Sequence, residues 1–289
     1  MNIAISTIWT KDGHKMASWS PASRDHLHAL KYRLNRGLSF KLSRHCTHIK
    51  NHGGVKASIK TVNQLMPYAK YVARFDIYQY YRNINHAILL KQLDCLHVDS
   101  TDCKTIKDYL SLPDLKQSGV GMIAGGSLSP ILAAVYLHPL DQLMKTLRQQ
   151  KKIVLYTRYM DDFVILCKTR WQLKKAIAKM HQILEALEIT VHPDKRFIGK
   201  TIRGFDFLGL KFQQGRKLRP SKESYRRLRI NARRLHEQGI DKNRLLQYVM
   251  RWQRWIFAGL KGLVSHQGGI KRLIKSVLYY LKKDRMKVF

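Results

Sequence analysis

The sequence predicts an α+β fold, with helices packed on one face of an antiparallel sheet. Three observations lead there. Residues 71–215 run through β-rich and helical stretches in the order β, α, β-hairpin, α, β. Two apolar β-rich runs within them flank a short acidic turn, which is the grammar of a hairpin. Hydrophobic residues make up 45% of the 289, so the chain can bury a sizeable core.

The elements follow in order. Residues 71–77 have strand character and carry an acid, Asp76, near their end. Residues 84–93 read as a short helix with Ile88, Leu89 and Leu93 on one face. Gly119, Gly121, Gly125 and Gly126 make a flexible stretch. One apolar helix is predicted after it, over 128–147, capped by Ser127 and with Pro130 in its first turn. Ile131, Val135 and Leu140 form its core face. Residues 153–159 and 163–167 are the strands that flank Met160-Asp161-Asp162, 171–187 an amphipathic helix, and 205–212 a further strand or hairpin. Residues 1–70 are basic, His-rich and weakly periodic. From 216 onward the chain is strongly basic and helical, with Leu245, Leu246 and Val249 as its buried stripe.

Charge narrows the partner. Lys and Arg number 54 against 19 Asp and Glu, a net charge of +35. Such a chain calls for a polyanion, nucleic acid ahead of an anionic membrane surface. No apolar run reaches membrane-spanning length, and residues 1–15 lack the layout of a signal peptide. The expectation is a cytoplasmic protein that does not engage membranes. Cys46, Cys95, Cys103 and Cys167 show no CxxC spacing and read as free thiols. His45, Cys46, His48 and His52 fit no standard zinc pattern. They read as a basic loop facing phosphate.

Two acidic positions stand out in an acid-poor chain. Asp76 ends an apolar strand, and Asp161 and Asp162 sit at a hairpin tip. Carboxylates at the ends of neighbouring strands can converge on one point and offer the hard oxygen ligands that suit Mg²⁺. Two such ions can run in-line phosphoryl transfer.

The string Tyr159-Met160-Asp161-Asp162 resembles the YxDD motif of reverse transcriptases. Four further stretches keep the family order. Residues 75–86 are similar to its first acidic motif, an Asp followed by paired aromatics. Gly125-Gly126-Ser127-Leu128-Ser129-Pro130, continuing to Asp141, is similar to its GG-x-LSP helix. Val191-His192-Pro193-Asp194-Lys195 resembles the lysine motif, and Phe207-Leu208-Gly209-Leu210 the FLG primer grip. The closest likeness is to prokaryotic enzymes of group II introns, retrons, diversity-generating elements and antiviral defence, without a subgroup.

The resemblance implies a right-hand polymerase with reduced fingers at 1–70, an antiparallel-sheet palm at 71–215 with a fingers-like insertion near 87–118, and a helical thumb at 216–289. It implies addition of dNTPs to a primer 3′-hydroxyl with Mg²⁺, or Mn²⁺ in its place, on a dedicated non-coding RNA template held as an RNA–DNA duplex. Asp76 and Asp161 would be the principal metal ligands, Asp162 an outer one, and the Ile77 carbonyl would complete a shell. Lys195 would protonate pyrophosphate. Tyr81 would be the steric gate against a ribose 2′-hydroxyl. Ala124, Gly125 and Ser129 would line the nucleotide, and Phe207, Leu208 and Gly209 would grip the primer.

The basic C-terminal region fits a thumb that tracks phosphates. Arg226, Arg227, Arg229 and Arg233 crowd one segment, Arg251 and Arg254 alternate with aromatics, and Lys271, Arg272 and Lys275 follow. The sequence also departs from the family. Ile123-Ala124-Gly125 stands where Pro-Gln-Gly is usual, so a glutamine that meets the nucleotide is replaced by a methyl group. Arg44, Lys56 and Lys60 are the candidates to hold the triphosphate. The rival reading is a catalytically silent, maturase-like RNA-binding protein on the same scaffold.

Overall fold

In the computed structural model, which describes residues 3–11 and 14–265, the chain divides at Lys200/Thr201 into two units. The first opens with β1 (Ile5–Lys11) paired antiparallel to β2 (His14–Trp19). Weak N-terminal periodicity did not announce this hairpin. Its signal is Asp12-Gly13, a pair favoured in two-residue hairpin turns. Helix α1 (Pro21–Leu38) starts where Ser20 accepts the Ser23 N–H and proline takes the first position. It buries Leu27, Leu30, Leu34 and Leu38, a stripe at three- and four-residue spacing. Helix α2 (Gly54–Leu65) follows.

Strand β3 (Tyr71–Asp76), helices α3 (His86–Cys95) and α4 (Ser100–Ser111), then α5 (Ser129–Tyr136) and α6 (His138–Gln149) come next. After them run β4 (Leu155–Tyr159), β5 (Asp162–Cys167), α7 (Arg170–Ala186) and β6 (Phe197–Lys200). Thr169 and Gln172 form a capping box at the start of α7. The four strands make one antiparallel sheet in the order β4-β5-β3-β6. Alternation decides its faces. Phe75 meets His181 of α7 and packs on Phe163, so Arg74 and Asp76, one residue to either side, take the other face.

The expected single helix over 128–147 is two, α5 and α6, broken at Leu137. Pro139 accounts for the break: it has no N–H to continue a helix and suits the first turn of a new one. Ser127 is not the cap; Leu128 occupies that position and gives no side-chain bond. The loop around His45–His52 also differs from expectation. Cys46 and His52 are buried, and the His52 ring lies against the carbonyls of Ser39 and Cys46. The loop seals the β4 edge instead of facing phosphate. Arg158 N–H donates to the His45 carbonyl at 2.8 Å and Thr47 N–H to the Arg158 carbonyl at 2.9 Å.

Beneath β4 lies a charge pair with no exposure on either side. Arg158 reaches Asp141 of α6 with Nε at 2.9 Å and Nη2 at 2.5 Å, and the Tyr156 hydroxyl donates to the same carboxylate at 2.7 Å. The remaining hydrogen bonds of the guanidinium go to main-chain carbonyls, those of Ala134 and Met160.

The second unit holds a three-stranded antiparallel sheet, β7 (Phe205–Phe207), β8 (Leu210–Phe212) and β9 (Arg219–Pro220), followed by α8 (Lys222–Glu237) and α9 (Lys242–Phe257). Leu228 and Ala232 of α8 pack on Leu245 and Val249 of α9; Leu246 is only half-buried. The expected cations at Lys271, Arg272 and Lys275 lie outside the described residues. No helix among those described is long and apolar enough to cross a membrane.

Removing one member of a buried pair strands the other. Asp141→Asn is expected to lower unfolding stability by about 3–5 kcal/mol, read as a fall in the urea midpoint. A midpoint equal to the parent's would mean that Arg158 finds another anion or water.

Candidate active site

The sheet register sets the site. Asp76, the last residue of β3, pairs with Asp162, the first of β5, so their side chains share a face. Asp161 precedes β5 in the turn, and its carbonyl accepts the Ile77 N–H at 3.2 Å. The lysine-motif loop is stitched to the end of β3 by main-chain bonds. His192 N–H donates to the Asp76 carbonyl at 2.7 Å and Tyr78 N–H to the Thr190 carbonyl at 2.8 Å. Lys195, more than half exposed, brings Nζ to 3.7 Å from Asp76.

Arg74 was passed over in the sequence, although strand alternation puts it beside Asp76. Its Nε and Nη2 clasp both Asp162 oxygens at 2.8 and 2.9 Å. Nη1 holds the Lys195 carbonyl at 3.0 Å, and Asp76 lies 3.8 Å away. Burial raises the Asp162 carboxyl to about 6 despite this arginine, with Asp76 and Asp161 adding repulsion. Asp161 is raised as well, by burial first and the Asp76 charge second.

The turn itself depends on Met160, which adopts φ +57°. Its N–H donates to His48 Nδ1 at 3.0 Å, and its carbonyl accepts from Arg158 Nη1 at 2.8 Å. His48 Nε2 faces the Pro130 carbonyl at 3.1 Å. These partners assign the tautomer: Nε2 carries the proton and Nδ1 accepts. Burial, then the Arg158 charge, depresses the imidazole to about 4, so the ring is neutral near pH 7. One side chain thus ties the YxDD turn to the start of α5. Arg158 and Asp141 were given no role from sequence, and His48 was read only as part of a phosphate-facing loop. The readable hint was a lone Arg and a lone Asp inside otherwise apolar runs.

The other expected residues fall as follows. Tyr81 is half-buried, and burial followed by the Asp161 charge raises its phenol to about 12. Tyr80 beside it is core, its hydroxyl on the Ala133 carbonyl. Ala124 is half-buried and Gly125 exposed at φ +72°. Ser129 begins α5 but is fully buried, bonded to the Ile123 carbonyl at 2.7 Å and to the Tyr109 hydroxyl at 2.9 Å. Its hydroxyl braces the loop and is not open to a nucleotide. Arg44 and Lys60 are exposed, Lys56 half-buried.

In the second unit, Phe207 is buried and Leu208-Gly209 form the β7–β8 turn, both at positive φ. Arg226, Arg227, Arg229, Arg233, Arg251 and Arg254 are exposed. The scarcity of acids does not hold along α8: Glu223 binds Arg226 and Arg227, and Glu237 binds Arg233.

Among the described residues, no three His, Cys, Asp or Glu side chains form a ready metal cage. Mg²⁺ does not require one, since it takes one or two carboxylates and keeps water or phosphate oxygens for the rest. Asp76 and Asp161 fit that demand, while Asp162 is engaged by Arg74.

His48 carries a pH signature. Unfolded, it binds a proton near 6.5; folded, only near 4. The unfolded state therefore holds more protons between these values, and stability falls as pH drops through that window, by up to about 3 kcal/mol. The His48→Asn variant, which keeps an acceptor for Met160 without a titrating ring, is expected to show a shallower decline in urea midpoint from pH 6.5 to 4. Parallel profiles for variant and parent would remove His48 from the acid response.

Comparison with known proteins bears on the family and the fold. A family model described as reverse transcriptase (RNA-dependent DNA polymerase) matches residues 17–212. Protein YkfC of Escherichia coli (strain K12) is 25% identical over 175 residues, 48% of this chain and 46% of the relative. The chain thus spans about half the length of the curated relative it matches. Among solved structures, telomerase from Candida albicans, in complex with a TWJ fragment of telomeric RNA, superposes with TM-score 0.59 at 12% identity, covering 96% of this chain and 55% of that one. Apo telomerase from Candida tropicalis gives 0.59 at 12%, over 97% and 61%. A form truncated from its C-terminal domain gives 0.57 at 15%, over 76% and 55%. At these identities the likeness is one of fold. The family match covers well over half of the chain, and its span takes in the three aspartates and the residues that hold their turn: the chain belongs to the reverse transcriptase (RNA-dependent DNA polymerase) family.

Proposed function

We propose that the chain is an RNA-directed DNA polymerase, adding dNTPs to a primer 3′-hydroxyl on a dedicated cognate RNA in the cytoplasm. The observation that carries this reading is the convergence of Asp76 and Asp161 beside an Asp162 already neutralised by Arg74. Asp76 and Asp161, with the Ile77 carbonyl, would hold Mg²⁺, which supplies the charge that activates the 3′-hydroxyl and steadies the triphosphate.

The remaining work belongs to this chain's own side chains. Arg74 keeps Asp162 ionised and turned along the sheet. His48 and Arg158 fix the peptide on which Asp161 stands. Lys195, held beside Asp76 through its loop, donates a proton to departing pyrophosphate. Tyr81 stands within electrostatic reach of Asp161, where its bulk would meet a ribose 2′-hydroxyl. Gly125 offers bare backbone to the base pair, and Ala124 leaves out the hydrogen bond a glutamine would give, worth roughly 0.5–1.5 kcal/mol net. In the second unit, Phe207, Leu208 and Gly209 would hold the primer, and the exposed arginines of α8 and α9 would track the duplex backbone.

Primer extension tests the reading. Asp161→Ala is expected to abolish dNTP incorporation while circular dichroism and RNA binding persist; extension at the parental rate ends the proposal. The gate is tested separately. Tyr81→Ala is expected to raise the rNTP-to-dNTP ratio of kcat/KM about tenfold or more, since a rejection built on volume relaxes when the volume goes. An unmoved ratio would reduce Tyr81 to packing.

A further inference from the structure

The end of the palm sheet remote from the catalytic turn carries a feature that polymerisation does not use. The strands of the β4–β5 hairpin run away from Met160 for about 17 Å, five steps of roughly 3.3–3.4 Å. At their far end, Val154 N–H bonds to the Leu166 carbonyl. This brings the C-terminus of α6 and the N-terminus of α7 to the same end of the sheet. Exposed there are Lys151 and Lys152 after α6, and Arg170, Lys174 and Lys175 on α7. Trp171 is among them, 64% exposed, with the Lys175 ammonium 3.5 Å from its ring centroid.

Two properties separate this from a solvated helix face. Charged surface helices ordinarily mix signs. From Gln142 to Leu184 the only acids are Asp161 and Asp162, at the opposite end of the hairpin. A large aromatic at the surface, with one ammonium over its ring, exposed cations on the neighbouring turns and packing into no core cluster among the described residues, is the composition of a stacking platform for an unpaired base.

We propose that this end of the palm is a second nucleic-acid surface, which takes an unpaired strand with a base on Trp171 and phosphates on the flanking lysines and arginine. The surface lies at the far end of the hairpin from Met160, so the strand proposed there is a part of the RNA other than the segment at the catalytic turn. The surface stands independently of the polymerase reading, because its detection needs binding alone.

The test uses the full chain, pre-saturated with a short primer–template duplex, and a fluorescent single-stranded oligonucleotide carrying 5-iodouridine, in RNA and DNA versions. Ultraviolet crosslinking followed by peptide mapping is expected to mark Trp171. Trp171→Ala, and separately Arg170→Gln with Lys174→Gln and Lys175→Gln, are expected to weaken oligonucleotide binding about tenfold or more, the scale of a lost stack. The triple variant should also flatten the salt slope by roughly 0.7 unit for each phosphate of the single strand that the protein no longer neutralises. Trp171→Phe should retain binding, and extension of the short duplex should match the parent in every variant. A preference between the RNA and DNA probes identifies the natural strand. Equal affinity of all variants and parent, a crosslink elsewhere, or displacement of the probe by anionic phosphatidylserine vesicles would overturn the proposal.

Discussion

Met160 sits at φ +57°, a conformation that costs a non-glycine residue about 1–3 kcal/mol, and it is held there from both sides. Its carbonyl accepts a hydrogen bond from Arg158, and its N–H donates one to His48. Arg158 can stand in the core only because Asp141 neutralises it, and Asp141 can do so only because α6 begins anew after Leu137 and turns that residue toward β4. His48 is likewise confined to one role. The Met160 N–H demands an acceptor, and a second cation beside buried Arg158 would be repelled, so the ring is neutral. The helix break, the buried ion pair and the inward loop thus share one consequence, a rigid turn under Asp161.

The sheet was legible because its signals are local. Alternating apolar strands around an acidic turn specify a hairpin whatever surrounds it, and the carboxylates were visible as acids in a chain that has few. The N-terminal hairpin was harder to read, because its strands mix polar and apolar residues without a clear alternation. The split between α5 and α6 was written in Pro139, but an unbroken apolar periodicity masked it. The largest gap concerned partnership. His45, Cys46, His48 and His52 read as a cluster of ligands or a phosphate-facing loop because composition says nothing about direction. Their destinations are main-chain groups 80 or more residues away for His48 and the interior for Cys46 and His52. Long-range pairs such as Arg158–Asp141 leave no periodic trace in one sequence.

Arg74 shows how charge is apportioned within the site. Three carboxylates gather at the end of one strand pair, and burial already pushes Asp161 and Asp162 toward the neutral form. An arginine two residues before Asp76 lies on the same face by alternation. The register sets Asp162 opposite Asp76, within diagonal reach of that arginine. The bidentate clasp answers Asp162 fully and leaves Asp76 with only a long 3.8 Å approach of the same arginine and with Lys195, a mostly exposed ammonium whose attraction is screened by water. Asp76 and Asp161 are thus two carboxylates that repel each other and share only partial cationic cover, the charge balance that a divalent ion would complete. The arginine in β3 thereby sets how many carboxylates the site presents.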